Sequence, residues 1–405
     1  MKVTVIVPTR DRTALLLESV QSALRQTLSP SEIIVVDDGS RDSSSRAVAS
    51  LSENIRYLHQ PRGGKSRALN AGIALATGDA VLVLDDDDLL PPYALEAHVL
   101  ALSRATDATF SFGRFQRFRG TPPTGPIREW PHIDVESVPI DDRRRTVIKL
   151  MEYCFLPNPT WMVRRTALDQ AGPYDEAALR SQDFDMILRL ARTNDGIFVD
   201  DIVLYQRKHD ELRPGVLAST GGHDVMAGWA VHDHRIFSRI ADTWQLEDFR
   251  PFQDAPIPAH KHRTTWLQKG VLLFPRKCFE EALQALETYR GLLGDDTPDP
   301  IEVAIASSIL RSQLDGALLG SHAASHSVRR GLRNGCWPIQ LGSAFVGGAR
   351  WQIRAALKAG DRQRAVGITR FLLESFGPLA VAAGLSARRS LRPLYETSDG
   401  GTMHV

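Results

Sequence analysis

The sequence predicts an α/β protein, built on an open and mostly parallel sheet flanked by helices and continued by an α-helical C-terminal region. Three observations carry that expectation. Within residues 1–90, strand-like apolar runs alternate four times with amphipathic stretches of helical period. Polar, largely acidic clusters stand at the carboxyl ends of three of those runs, where open parallel sheets bind their ligands. Beyond about residue 215 the pattern becomes helical. The expected division is residues 1–215 for the α/β domain and 216–405 for the helical region.

Val3 to Val7 is apolar and β-branched and ends at Pro8, as a buried first strand would. Thr9, Arg10, Asp11 and Arg12 form a polar loop, and Ala14 to Gln26 has amphipathic spacing. Glu32 to Val36 is a second strand, ending in Asp37-Asp38-Gly39-Ser40, where Gly39 permits a tight turn. Ile55 to His59 is a third. Gly63-Gly64-Lys65-Ser66 then opens a helix with Leu69, Ile73 and Ala76 on one face. Val81 to Leu84 is an unbroken apolar run followed by Asp85, Asp86, Asp87 and Asp88. In extended chain, Asp85 and Asp87 would share one side and Asp86 and Asp88 the other. Four adjacent carboxylates repel one another, and a hard divalent cation relieves that repulsion. The competing reading is a solvated acidic turn.

A helix over Ala94 to Arg104 and a strand over Ala108 to Phe112 follow. Residues 113–145 are rich in Pro, Arg and Gly and exceed an ordinary connection. Phe184, Ile187, Leu188 and Ala191 mark a helix that starts beside Ser181-Gln182-Asp183, with Asp185 capping it or facing solvent. Ile202 to Gln206 is a strand leading to Arg207-Lys208-His209. Further helices are expected over Phe279–Leu293, Ile301–Leu319, Ala349–Ala359 and Arg362–Ser375.

The formal charge of +1 hides an asymmetry. Residues 321–395 carry twelve Arg and Lys against Asp361 and Glu374, a net +10, which leaves −9 on the rest. Such a segment favours an anionic partner: a lipid surface, an acidic glycan or nucleic acid. Cys154, Cys278 and Cys336 have neither metal-type spacing nor the look of a disulfide framework, which fits a reducing compartment. His232/His234 and His260/His262 lack a third ligand at metal spacing. The chain enters its first strand without a signal-peptide pattern, and no run approaches membrane-spanning length. The expectation is a cytoplasmic protein with peripheral membrane contact allowed. A P-loop is disfavoured because His59 stands where the first glycine belongs, and no Gly-x-Gly-x-x-Gly follows the first strand.

Four motifs in order and at the right spacing carry a resemblance: Val-Ile-Val-Pro-Thr-Arg-Asp-Arg at 5–12, Ile-Ile-Val-Val-Asp-Asp-Gly-Ser at 33–40, Gly-Gly-Lys-Ser-Arg-Ala-Leu-Asn-Ala-Gly-Ile at 63–73 and Leu-Asp-Asp-Asp-Asp at 84–88. Together they resemble a family 2 glycosyltransferase of GT-A fold over about residues 1–210. The resemblance implies transfer of a sugar, with inversion, from a nucleotide-diphosphate donor, most often a UDP-sugar, to an acceptor hydroxyl. It implies nucleotide binding by Pro8, Thr9, Asp11 and Asp38, with Asp37 beside them. Asp85 falls to the ribose, with Asp86 in the same acidic element. Either Lys65 or Arg67 meets the base or phosphate, since Leu69 stands where many relatives carry Arg. Mg²⁺ or Mn²⁺ falls to Asp87, with His209 as a further ligand. Asp183 becomes the catalytic base, and Gln182 replaces the Glu that relatives usually place before it. Trp161 and Gln182 fall on the acceptor side, and Trp130 either packs or stacks on a sugar face. The implied partners are a nucleotide-sugar donor and a glycan or lipid-linked acceptor, in cell-envelope polysaccharide biosynthesis and with no nucleic acid. Two other readings stay open: a catalytically silent GT-A scaffold, because of Gln182, and a sugar nucleotidyltransferase, which lacks its Gly-rich phosphate loop here.

Overall fold

The computed structural model describes residues 1–42, 44–52, 54–120, 145–152, 154–194, 196–208, 225–251, 262–310, 319, 323–334 and 337–386. The chain divides into two compact units: Met1–Ile140 with Lys149–His232, and Asp141–Ile148 with Asp233–Val405.

Along the chain the order begins β1 (Val3–Thr9), α1 (Thr13–Leu24), β2 (Glu32–Asp37), α2 (Ser44–Ala49), β3 (Ile55–His59), α3 (Lys65–Leu75), β4 (Ala80–Val83) and α4 (Ala94–Arg104). Then come β5 (Phe110–Arg119), α5 (Thr146–Glu152), β6 (Trp161–Arg164), α6 (Arg165–Ala171), α7 (Gln182–Thr193) and β7 (Ile197–Lys208). The seven strands form one sheet in the order β3-β2-β1-β4-β6-β5-β7. β6 runs antiparallel to β4 and β5, and the other pairings are parallel. The expected fold class is borne out: a mostly parallel sheet flanked by helices, followed by a helical C-terminal region.

Strands β1, β2 and β4 are buried at every position, as their unbroken apolar runs require when helices cover both faces. Helix α3 reaches the sheet through Gly72, where a Cβ would come within 2.6 Å of Ile6. Two strands differ from expectation. β5 continues seven residues past Phe112, to Arg119, and β7 begins five residues before Ile202. The two pair from Ser111↔Ile197 to Arg119↔Lys208, with register shifts between Gly113 and Arg114 and between Arg114 and Phe115. Pairing thus keeps extended a polar stretch whose own pattern does not announce a strand.

The described part of the second unit includes the helices His262–Leu273, Phe279–Leu293, Pro300–Ala306, Ala323–Asn334, Ile339–Lys358 and Arg362–Ser386. Pro300–Ala306 starts on a reciprocal cap between Asp299 and Glu302. Glu302 is fully buried and also pairs with Arg263 at 2.7 Å. The helix expected to run to Leu319 is seen only to Ala306, and residues 311–318 lie outside the described set. One expectation is corrected. Arg362–Ser386 is long and apolar enough to cross a membrane by length and composition, although no membrane-length run was expected. It bends at Gly377 (φ 79°, ψ 166°), just before Pro378, and packs Ile368, Phe371 and Leu372 into the unit's core.

Candidate active site

β4 ends at Val83, so Asp85–Asp88 are not extended chain. They fold into a turn in which the Asp88 amide donates to the Asp85 carbonyl at 3.1 Å. The side-to-side alternation expected of a strand is therefore overturned. Asp85, Asp87 and Asp88 bring one carboxylate oxygen each within 4.8 Å of one another, and Asp86 turns away to accept from Thr9 Oγ1 at 2.9 Å. Asp86, Asp87 and Asp88 are 7%, 3% and 3% exposed, which sets aside a solvated acidic turn.

Two cations pair with these carboxylates, and Arg207 braces the turn through its amide and side chain. Arg12 Nη1 donates to Asp86 Oδ1 at 3.0 Å and to Asp87 Oδ2 at 2.9 Å. Lys65 Nζ donates to Asp85 Oδ1 at 2.6 Å. Arg207 gives its amide to Asp88 Oδ1 at 2.8 Å and its Nε to the Asp87 carbonyl at 3.0 Å, and it pairs with Glu18. Its guanidinium also covers the Phe118 ring at 4.7 Å. Burial alone would lower the Arg12 and Lys65 pKa values, but their acidic neighbours outweigh it and raise both. Burial, then the charges of Asp87 and Asp85, push Asp88 well above the ordinary carboxylate range. Asp86 is raised for the same first reason, with Arg12 opposing. An all-oxygen donor set under mutual repulsion fits a hard divalent cation such as Mg²⁺ or Mn²⁺.

The first two strand ends are tied together beside this turn. Asp11, at φ 53°, gives its amide to Ser40 Oγ and accepts from the Arg41 amide at 2.8 Å. Asp37 accepts from the Ser40 amide and, at 2.6 Å, from the Tyr57 hydroxyl. Asp38 accepts from Gln60 Nε2, from the Gly63 amide at 2.7 Å and from the Gly64 amide at 2.8 Å. The Gly63–Gly64 amides are thus engaged by a carboxylate of the chain itself, and they orient the start of α3 and Lys65 with it. Arg67 is exposed and folds its stem over Gly63. Pro8 and Thr9 close the same edge from β1, both buried.

Asp183 sits in the first turn of α7, after Ser181 in the left-handed region at φ 57°. It is partly buried, and its Oδ1 accepts from the Phe184 amide at 2.9 Å. Burial raises its pKa, the Lys65 charge opposes that, and the Asp85 charge reinforces it. Asp183, Lys65 and Asp85 thus share one electrostatic neighbourhood. Asp185 is not a cap or a solvent-facing group: it is 2% exposed and pairs with Arg189 at 3.0 Å. Arg189 in turn donates to the carbonyls of Ala171, Gly172 and Pro173, so the pair pins α7 to that loop. Asn70 of α3 clamps the loop's next residue, accepting from the Tyr174 amide at 2.8 Å and donating to its carbonyl at 3.0 Å.

Trp161 and Gln182 are both buried. Trp130 and His209 lie outside the described residues. Arg12, Asn70 and Arg207 are the site residues that sequence reasoning left without a role. The signal for Arg12 was present, since it closes the first motif. Asn70 likewise lies inside the third motif, whereas Arg207 lies outside all four.

Residues 4–172 match the model of Glycosyl transferase family 2. An uncharacterized glycosyltransferase of Rickettsia felis is 28% identical over 215 residues, covering 52% of this chain and 34% of that protein. Another, alr2836 of Nostoc sp., is 30% identical over 196 residues, covering 44% and 56%. The matched region is thus only a third to about half of those two relatives. Among solved structures, S. aureus TarS 1-349 in complex with UDP-GlcNAc is 15% identical at a TM-score of 0.47, covering 92% of this chain and 91% of that one. The mannosyltransferase PcManGT from Pyrobaculum calidifontis, in complex with GDP-Man and Mn²⁺, is 18% identical at 0.47, covering 96% and 88%. At these TM-scores neither likeness carries a functional assignment.

Proposed function

We propose, from the match of residues 4–172 to the model of Glycosyl transferase family 2, that the chain moves a sugar from a nucleoside-diphosphate donor to an acceptor hydroxyl with inversion. A UDP-sugar is the first donor to test. The observation that supports the reading is the acidic turn: Asp85, Asp87 and Asp88 bring one carboxylate oxygen each within 4.8 Å of one another, and Lys65 donates to Asp85 at 2.6 Å beside them. Pro8, Thr9, Asp11 and Asp38 frame the base and ribose edge, with Arg67 beside it, and Asp85 and Asp86 lie toward the ribose and diphosphate. A Mg²⁺ or Mn²⁺ held by Asp87, with Asp85 or Asp88 and His209 as further ligands, would supply charge neutralisation of the leaving diphosphate.

The chain's own groups do the rest. Arg12 and Lys65 are the cations placed to move from carboxylate to phosphate oxygens as a donor enters. Asp183 takes the acceptor's hydroxyl proton while that oxygen bonds to the anomeric carbon, and the bond to the diphosphate oxygen breaks with its electron pair. A pKa raised by burial makes Asp183 a stronger base than an ordinary aspartate. Trp161 and Gln182 fall on the acceptor side, and the acceptor is a glycan or a lipid-linked saccharide of cell-envelope polysaccharide synthesis at the cytoplasmic face.

Asp183→Asn tests the assignment. Transfer should fall by about 10³-fold or more while donor affinity, read by calorimetry, stays within a few-fold. Near wild-type turnover in that variant would remove Asp183 as the base. Gln182, in the place of an acidic residue, favours one second reading, a silent donor-binding scaffold. Failure of the wild-type chain to hydrolyse any UDP-, GDP- or dTDP-sugar with Mn²⁺, while still binding one, would support it.

A further inference from the structure

The helices Ile339–Lys358 and Arg362–Ser386 pack against each other and bury Phe345, Phe371 and Leu372. Their outer surface is of a different kind. Trp351, Leu357, Val366, Leu373 and Leu379 are exposed there, with Leu357 at 57%, Val366 at 66% and Leu379 at 75%. Large apolar side chains at that exposure oppose the usual sorting of a soluble helix pair. They do not stand alone. Arg354, Lys358, Arg362 and Arg370 are exposed among them, while the acidic residues of the two helices and their connection are Asp361 and Glu374. Glu374 is already committed to Arg329 and Arg370, both at 2.7 Å. A groove of 670 Å³ runs between the helices, lined on its apolar side by Ile353, Leu357, Val366 and Leu373.

We propose that this two-helix face docks the protein on an anionic lipid surface, with the helices lying in the interface plane. Apolar side chains interleaved with Arg and Lys match the acyl and headgroup layers respectively, and long cationic stems extend to reach the headgroups. The same features disfavour other occupants. A second copy meeting this face isologously would set cation against cation. Nucleic acid would use the cations but leave the exposed Leu and Val side chains without a role. The helix Arg362–Ser386 does not span: its bend at Gly377 and its buried Ile368, Phe371 and Leu372 tie one face to protein and leave only the other for lipid. The proposal goes beyond the glycosyl transfer reading and stands without it, because no residue of the candidate active site takes part.

The test is flotation of the full chain with vesicles of phosphatidylcholine alone and of equimolar phosphatidylglycerol and phosphatidylcholine. The protein should float with the anionic vesicles at low salt, be released at high salt and ignore the neutral ones. Each cation at such a surface contributes about a fivefold gain in partition. Replacing Arg354, Lys358, Arg362 and Arg370 together by Gln should therefore cut partition by about 100-fold or more. A second variant, Val366→Ser with Leu379→Ser, alters only exposed positions and should weaken binding at unchanged circular dichroism. Equal partition onto both vesicle types, no partition at low salt, or wild-type binding by both variants would overturn the proposal. So would a single-stranded oligonucleotide that binds the serine variant as well as wild type and strips the protein from vesicles.

Discussion

Arg12 is the residue on which the state of the acidic turn depends. Its guanidinium bridges Asp86 and Asp87, two carboxylates that are nearly inaccessible to water. Removing one partner of such a pair leaves charge buried without compensation. Arg12→Gln should therefore lower Tm measured in EDTA, and Mn²⁺ should restore more of that loss than it adds to the wild type. The Mn²⁺ affinity of the donor-free variant should rise by about tenfold, one Coulombic competitor having been removed, as titration calorimetry would read. If Mn²⁺ bound the variant more weakly, Arg12 would be a support of the metal site rather than its rival. The partners of Arg12 are 74 and 75 residues away, those of Asn70 are 104 away and that of the Arg207 amide is 119 away. That distance is why the sequence declared the acids and left their counter-charges unread. Four consecutive Asp announce a chemistry wherever they fold, whereas an Arg declares its role only once its partner is placed.

At the level of elements, what was legible followed burial. β1, β2 and β4 were readable because strands covered on both faces are written as unbroken apolar runs, and α4 because its apolar spacing is helical. β5 and β7 were only partly readable, since much of each is polar and is kept extended by the other. The acidic turn was readable as a binding element but not in its geometry, because Asp-Asp-Asp-Asp gives no signal of where extension stops. The packing of α4 against β5 supports a pH prediction. His98 is fully buried, its Nδ1 lies 2.9 Å from Ser111 Oγ, and burial drives its pKa down to about 3 from 6.5. The neutral ring is thus native, and its contribution is complete above pH 6.5, then lost as pH falls toward 3 because the unfolded chain takes up the proton first. Between pH 6 and 5, above most carboxylate titration, unfolding free energy should drop by about 1.4 kcal/mol per pH unit from this group. His98→Gln should remove that slope in urea titrations, and an unchanged slope would assign it elsewhere. The Asp185–Arg189 pair supports a second prediction. Asp185→Ala should cost about 2–3 kcal/mol, below the full range for buried pairs because Arg189 is partly exposed. It should also raise the donor KM if the loop that Arg189 pins, and Asn70 clamps, positions the head of α7.

For the molecule as a whole, the second unit was the least legible part, for a physical reason. Helices that pack only on one another need no special residue at a fixed spacing, so the sequence shows their period but not their partners. Its basic segment looked like one uniform patch, yet Arg329 is buried against Glu374 while Arg354, Lys358, Arg362 and Arg370 remain exposed. Each unit buries apolar side chains of its own: Val5, Val35 and Leu82 cluster in the first, and Phe237, Leu267 and Phe345 are each buried in the second. Units with separate cores unfold as separate cooperative blocks when no ligand links them. Scanning calorimetry of the full chain should then resolve two transitions. The described residues of the candidate active site all belong to the first unit, so donor diphosphate with Mn²⁺ should raise only that unit's transition. At a hundredfold excess over Kd the gain is about 2.7 kcal/mol, a shift of several degrees for a unit of this size. The Arg354, Lys358, Arg362 and Arg370 variant should leave that shift intact, because lipid contact and donor binding use different units. Equal shifts of both transitions by the donor would mean that the second unit shares the donor's binding energy, and the division of labour argued from the two cores would fail.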